Sequence, residues 1–168
     1  MKISVALCTY NGEKFLSEQL ESILQQSVKP NEIIICDDGS KDSTVKILKN
    51  SESNHSNIIQ VHQNAVNLGF VKNFEKAISL CLGEIIFLSD QDDIWKENKI
   101  ERFIETFENN PDCTYVFSNA EATDEIGGNL EYSLWNSVKF TPKKQREFND
   151  GFQKELLIKK LRKKGICL

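Results

Sequence analysis

Apolar and polar positions along the chain follow two rhythms. Short apolar runs rich in β-branched residues, at 3–8, 32–36, 58–62 and 85–89, have the length and character of buried parallel strands. Between them, apolar residues recur at helical spacing. Leu16, Leu20, Ile23 and Leu24 mark a helix over about 13–26, and Val45, Ile47 and Leu48 mark one over 42–49. Phe74, Ala77, Ile78 and Cys81 do so over 71–81, and Ile100, Phe103, Ile104 and Phe107 over 97–109. Pro30, Gly69, Gly83 and Pro111 fall at the junctions, as breakers should. The pattern predicts a fifth strand over 114–118, an irregular excursion over 124–142 around Gly127, Gly128 and Trp135, and a further helix over 145–164. Strand and helix in alternation imply right-handed βαβ units, hence an α/β fold with a mostly parallel sheet flanked by helices.

The fourth apolar run, Ile85-Ile86-Phe87-Leu88-Ser89, ends abruptly in Asp90, Asp92 and Asp93. The acids therefore fall just beyond the carboxyl end of a strand, the edge at which open α/β sheets bind ligands. Side chains two apart on extended chain point the same way, so Asp90 and Asp92 converge. Clustered carboxylates repel unless protons or a cation neutralise them, and a divalent metal holding a phosphate is the natural occupant. An isolated Asp-x-Asp is equally at home as an acidic turn capping the next helix.

Two other strand ends carry unusual chemistry. The first run leads into Thr9, Tyr10, Asn11 and Gly12, whose hydroxyl, ring and amide suit a base and ribose, although Asn-Gly also makes a plain turn. The second ends in Asp37, Asp38, Gly39 and Ser40, which serves either as a helix entry or as a carboxylate acceptor for a nucleobase N–H.

Composition narrows the choice. With 168 residues, 39% hydrophobic and 27% charged, the chain has the profile of one soluble domain with a sizeable core. A net charge of −4 does not advertise nucleic-acid binding. No run approaches the ~20 apolar residues of a membrane span, and the chain enters its first strand without a signal peptide. The five cysteines show no Cys-x-x-Cys spacing and suit buried thiols in a reducing cytoplasm. His55 and His62 have no nucleophile or second ligand nearby in sequence, and packing or surface roles are expected. The phosphate loop Gly-x-x-x-x-Gly-Lys-Ser/Thr is absent. A phosphatase of the haloacid-dehalogenase type would open the fold with its Asp-x-Asp and follow it with Thr or Val; here the motif is on the fourth strand and Ile94 takes that place.

Taken in order, residues 5–12 (VALCTYNG), 32–44 (EIIICDDGSKDST), 67–70 (NLGF) and 83–93 (GEIIFLSDQDD) resemble the family 2 glycosyltransferases, and among them the rhamnosyltransferase-like bacterial members. The resemblance covers about residues 2–130. It implies a GT-A fold with a Rossmann-like nucleotide-binding half, a nucleotide-sugar donor (UDP- or dTDP-linked) and Mg²⁺ or Mn²⁺. On matching positions, Thr9, Tyr10 and Asn11 would line the nucleoside pocket and Asp38 would bond the base. Asp90 would sit near the ribose or a metal-bound water, Asp92 would be the main metal ligand, and Asp93 would orient the loop or the acceptor side. Lys72 would reach the donor, and Lys99 less so. The acceptor would be a saccharide or a lipid-linked saccharide, the chemistry an inverting displacement. The implied organisation is a donor-binding core over 1–130 and an irregular segment with a basic tail over 131–168.

The tail departs from the family pattern. The carboxylate that deprotonates the acceptor is expected further along than this chain extends. An Asn-rich, Gly-containing segment expected near 158–168 is replaced by IKKLRKKGICL, and Asn119 stands where an Asp is expected. Glu121, Asp124 and Glu125 are not candidates for the base. A truncated or altered C-terminus, and with it a module that binds donor without transferring it, is the alternative. Lys159, Lys160, Arg162, Lys163 and Lys164 around Leu157, Ile158 and Leu161 suit either a solvated end, the preferred expectation, or a peripheral contact with anionic lipid at the inner face of the membrane.

Overall fold

The computed structural model describes residues 1–124 and 127–149. Met1–Cys113 forms one compact unit, and a second begins at Thr114. The first unit alternates strand and helix: β1 (Ile3–Thr9), α1 (Leu16–Leu24), β2 (Glu32–Asp37), α2 (Thr44–Asn54), β3 (Ile59–Gln63), α3 (Phe70–Leu80), β4 (Ile85–Ser89) and α4 (Lys99–Asn109). The four strands form one parallel sheet in the order β3-β2-β1-β4. Parallel pairing matches Val5 with Ile33 on one side and Phe87 on the other.

That order has a direct physical cause. From β1 through β3 each crossover steps the same way across the sheet. The next connection must return over β2 and β1 to place β4 beside β1. Because parallel crossovers are right-handed, the returning helix α3 lies on the face opposite α1 and α2. Alternate strand positions serve the two faces. Ile3, Val5, Leu7, Ile33, Ile35, Ile59 and Phe87 pack with Leu16, Leu20 and Ile23 of α1, Leu48 of α2, and Trp95 and Ile100. Ala6, Cys8, Ile34 and Cys36, also buried, take the other face, where Phe74 and Ala77 of α3 are buried.

The element boundaries differ from expectation at a few points. Helix α1 starts at Leu16, three residues late, because residues 12–15 form a turn in which the Phe15 and Leu16 N–H groups donate to the Gly12 carbonyl. Helix α2 runs on to Asn54, past the expected end at 49; Ser53 Oγ returns to the Lys49 carbonyl at 2.9 Å, so this polar residue bonds to the helix instead of breaking it. Cys8, Cys36, Cys81 and Cys113 carry no disulfide, as expected, and Cys167 lies outside the described residues. Burial, with the nearby Glu32, pushes the Cys81 thiol up to about 11, and burial raises that of Cys36 too. His62 is half-buried on β3 and His55 follows α2.

In the second unit the expected strand over 114–118 does not form. The alternating Tyr115 and Phe117 instead supply rings to an aromatic cluster with Trp135 and Phe140; Trp135 and Phe140 meet edge-on at 5.2 Å between centroids. The strands here are β5 (Glu121–Thr123) and β6 (Asn129–Ser133), an antiparallel pair inside the stretch that read partly as irregular. A short α5 (Leu134–Ser137) and α6 (Pro142–Asn149) follow. Asn119, where an Asp was expected, accepts the Trp135 N–H at 2.9 Å. Most of the expected helix over 145–164, and the basic tail with it, lies outside the described residues. Among the described residues no helix is long and apolar enough to cross a membrane.

Ile35 is fully buried at the centre of the larger core. Ile35→Ala is expected to lower unfolding free energy by about 3 kcal/mol, measured by urea titration of the purified chain.

Candidate functional site

The loops after β1 and β4 leave the carboxyl ends of neighbouring strands, the edge at which open α/β sheets bind ligands, and both lead to helices packed on the same face, Leu16, Leu20 and Ile23 of α1 with Ile100 of α4. The loops after β1, β2 and β4 all emerge at this edge. Side chains cross between these loops.

Asp37, the last residue of β2, is fully buried and anchors the arrangement. It accepts hydrogen bonds from Thr9 Oγ1 (3.0 Å), from the N–H groups of Gly39 (3.2 Å) and Ser40 (3.0 Å), and from Ser40 Oγ. Thr9 is thus a buried framework residue, its hydroxyl turned into the fold. Asn11, although exposed, also bonds to the neighbouring loop. It sits at φ 50°, a left-handed conformation that Asn tolerates, with its N–H on Ser40 Oγ and its Oδ1 accepting the Lys41 N–H at 2.8 Å. Of the three residues expected to line a nucleoside pocket, only Tyr10 presents its ring outward, at 49% exposure.

Gln91, between the acids of the fourth loop, clamps Tyr10. Its Oε1 accepts the Tyr10 N–H at 2.8 Å and its Nε2 donates to the Tyr10 carbonyl at 3.2 Å. The side chain thereby extends the β1–β4 ladder by one step beyond the strands. A Cβ on Gly12 would collide with this amide, so the glycine leaves room for the clamp.

Asp38, 4% exposed, faces the loop entering α3. Its Oδ1 accepts the Leu68 N–H at 2.7 Å and Asn64 Nδ2 at 2.8 Å; its Oδ2 accepts the Gly69 N–H at 2.8 Å. Gly69 has φ 79°, which a side chain would strain, and it caps α3. A carboxylate against the first N–H groups of a helix is favoured by their partial positive charge. Burial works to raise the Asp38 pKa, but the bonds from Leu68, Asn64 and Gly69, with the charge of Lys76, outweigh it and hold the group below the usual carboxylate range. Lys72, on the first turn of α3, is exposed.

Two of the three acids of the fourth loop, Asp90 and Asp93, are held above the usual carboxylate range, by desolvation first and by like charge second. Asp90 is half-buried; desolvation first, then Asp92 and Asp93, push its pKa up to about 6 against a single hydrogen bond from the Gln91 N–H. Asp93 is raised by desolvation and Asp92, partly opposed by Lys99. Lys99 itself lies over the Trp95 ring at 4.3 Å, and its burial lowers its pKa while Asp93 raises it. Asp92 is exposed. Among the described residues no group of three or more His, Cys, Asp or Glu side chains is arranged to enclose an ion. The donor set nonetheless fits a hard divalent cation: Asp90 and Asp92 offer carboxylate oxygens whose repulsion a cation would relieve, and Mg²⁺ or Mn²⁺ characteristically takes one or two carboxylates and leaves its other positions to water and phosphate oxygens.

Asn64, Lys76 and Gln91 were not singled out from the sequence. Gln91 stood inside the acidic motif, and only its position between two acids pointed to it. Nothing in the local sequence marked Asn64 or Lys76.

A parallel nucleotide-type sheet with its polar loops gathered at a switch point defines the class. Residues 4–159 match the family described as Glycosyl transferase family 2, and the chain belongs to it. It is 36% identical over 131 residues to the glycosyltransferase GlyG of Streptococcus pneumoniae serotype 4, covering 77% of this chain and 42% of that protein. It is 37% identical over 118 residues to the dTDP-rhamnosyl transferase RfbG of Shigella flexneri, covering 68% and 38%. S. aureus TarS 1-349, solved in complex with UDP, superposes with a TM-score of 0.59 at 26% identity over 73% of this chain and 42% of that one. The chain thus spans less than half the length of these relatives.

Two outcomes follow from this geometry. Asp37→Ala strands the buried N–H groups of Gly39 and Ser40 and the Thr9 hydroxyl, and should cost about 3 kcal/mol of stability by urea titration. For Asp90, a folded-state pKa raised to about 6 means the native chain takes up this proton before the unfolded one. Its contribution to stability therefore falls as pH rises from the ordinary carboxylate range through 6. A bound cation reverses this above pH 6: Mn²⁺ should raise the Tm at pH 7.5 and change it little at pH 5, checked by calorimetric melting at both pH values.

Proposed function

We propose that this chain binds a nucleoside-diphosphate sugar at the carboxyl ends of β1, β2 and β4 and serves transfer of the sugar to a saccharide or lipid-linked acceptor. One observation carries the proposal: three mutually repelling carboxylates crowd the β1–β4 switch point, with Asp90 pushed up to about 6, an arrangement suited to a cation-bound diphosphate. Membership of the family, and similarity to a dTDP-rhamnosyl transferase and to a TarS chain solved with UDP, support a UDP- or dTDP-linked donor. The same relatives favour transfer over a module that only binds.

Each residue has a role in this proposal. Tyr10 offers the exposed ring against which a base would stack. Asp38, with one donor on Oδ2, keeps a lone pair there for a ring N–H of uracil or thymine. Thr9 and Asn11 shape the nucleoside pocket through the backbone they hold. Lys72, exposed at the start of α3, would reach the diphosphate. Asp92, assisted by Asp90, would hold Mg²⁺ or Mn²⁺. When bound, the metal would offset negative charge on the departing diphosphate. Asp93, with Lys99 opposing its charge, would orient the loop toward the acceptor. In an inverting displacement the acceptor oxygen attacks the anomeric carbon as the bond to the diphosphate breaks, and a carboxylate takes the acceptor proton. Donor binding falls to the core over 1–130, with the irregular segment and basic tail over 131–168 outside it, and the chain acts in the cytoplasm.

Calorimetric titration of the chain with UDP and dTDP, with and without Mn²⁺, tests the donor site. Binding strengthened by Mn²⁺ is expected, and Asp92→Ala should weaken it about tenfold or more, the scale of one charge-assisted contact. Binding of neither nucleotide, or no effect of Asp92→Ala, would overturn the proposal. A labelled-donor assay with saccharide acceptors then separates transfer from binding alone.

A further inference from the structure

Behind Asp38 lies a polar chain that the donor site does not itself require. Lys76 Nζ, on the second turn of α3, donates to Asn64 Oδ1 at 2.6 Å. Asn64 Nδ2 donates to Asp38 Oδ1 and to Asn73 Oδ1, both at 2.8 Å. Asn73 Nδ2 in turn donates to the Cys36 carbonyl at 2.8 Å. Asn64 and Asn73 are buried.

The donors and acceptors allow one polarity. The Cys36 carbonyl can only accept, so Asn73 gives it its amide hydrogens and turns its oxygen to Asn64. Asn64 must therefore spend both hydrogens on Asn73 and Asp38, which leaves its oxygen facing α3. That oxygen needs a donor, and Lys76, with three donors and no acceptor, supplies one. The ammonium is also a cation whose charge acts on Asp38, and that carboxylate closes the 67–69 turn through the Leu68 and Gly69 N–H groups. Asn67 Nδ2 adds a bond to the Asp38 carbonyl at 3.0 Å.

We propose that Lys76 is a positioning residue for the donor's base: through Asn64 it supplies the counter-charge that holds Asp38 and the 67–69 turn in the geometry that reads the nucleobase. The proposal rests on the donor-site reading above. It distinguishes two lysines of one helix face four residues apart, Lys72 for the diphosphate end and Lys76 for the base end.

That division gives a test that simple destabilisation would not mimic. The chain is titrated calorimetrically, in Mn²⁺, with UDP and with inorganic pyrophosphate, which lacks a base. Lys76→Met should weaken UDP about tenfold, as loss of a charged hydrogen bond would, and leave pyrophosphate affinity unchanged. Lys76→Arg, which keeps the charge and the donors, should restore most of the UDP affinity. Lys76→Met binding UDP like the parent, or losing both ligands equally, overturns the proposal. Should Lys76→Met fail to fold, Lys76→Gln replaces it in the same titrations. If the parent chain binds neither ligand, the donor-site reading fails separately, and amide hydrogen exchange decides the relay alone: exchange at Leu68 and Gly69 about tenfold faster in Lys76→Met supports it, and unchanged exchange overturns it.

Discussion

The handedness of parallel crossovers is the constraint from which the rest of this structure follows. Once β1, β2 and β3 have stepped one way, a chain with a fourth parallel strand returns over the opposite face, and α3 is the segment that does so. The return brings β4 beside β1, so the loops that leave their carboxyl ends are neighbours. That nearness is a consequence of topology, present before any side chain is considered. The residues at this edge give it chemistry: a ring and a clamped backbone from the first loop, a buried carboxylate from the second, and three acids from the fourth.

The carboxylates of this edge do opposite kinds of work, and their surroundings set the difference. Asp37 and Asp38 are surrounded by donors, so their charge organises backbone: one closes the β2–α2 turn, the other closes the entry to α3. Asp90 and Asp93 have few donors and each other's charge, so they remain in want of a cation. Adjacent acids of identical sequence appearance thus divide into framework and candidate ligand. The division follows hydrogen-bond supply, because a carboxylate with its lone pairs satisfied is stabilised where it stands, and one without them is held at a cost that a ligand can relieve. Only Asp38 stands between the two classes, with one acceptor direction left over.

Much of this was legible beforehand. The short apolar runs and the period-3.6 patterns placed β1 to β4 and α1 to α4 within a few residues, and the acid run at the end of the fourth strand marked the functional edge. The misplacements have local causes. The expectation ended α2 at 49, short of its polar last turn, yet the Ser53 hydroxyl there bonds along the helix. Tyr115 and Phe117 alternate as a strand would, but their rings join a cluster with Trp135 and Phe140.

What the sequence alone determined, then, is the set of elements, the parallel class and the location of the acids, because each depends on neighbours a few residues away. The tertiary structure decided which polar side chains face the ligand edge and which are consumed within the fold. Thr9 turned inward, Asn11 bonded to the loop after β2, Gln91 closed onto Tyr10, and Lys76 reached Asn64 across a loop. Those choices depend on partners 12 to 81 residues distant in sequence, and a hydrogen bond between such partners exists only after the sheet has brought them together.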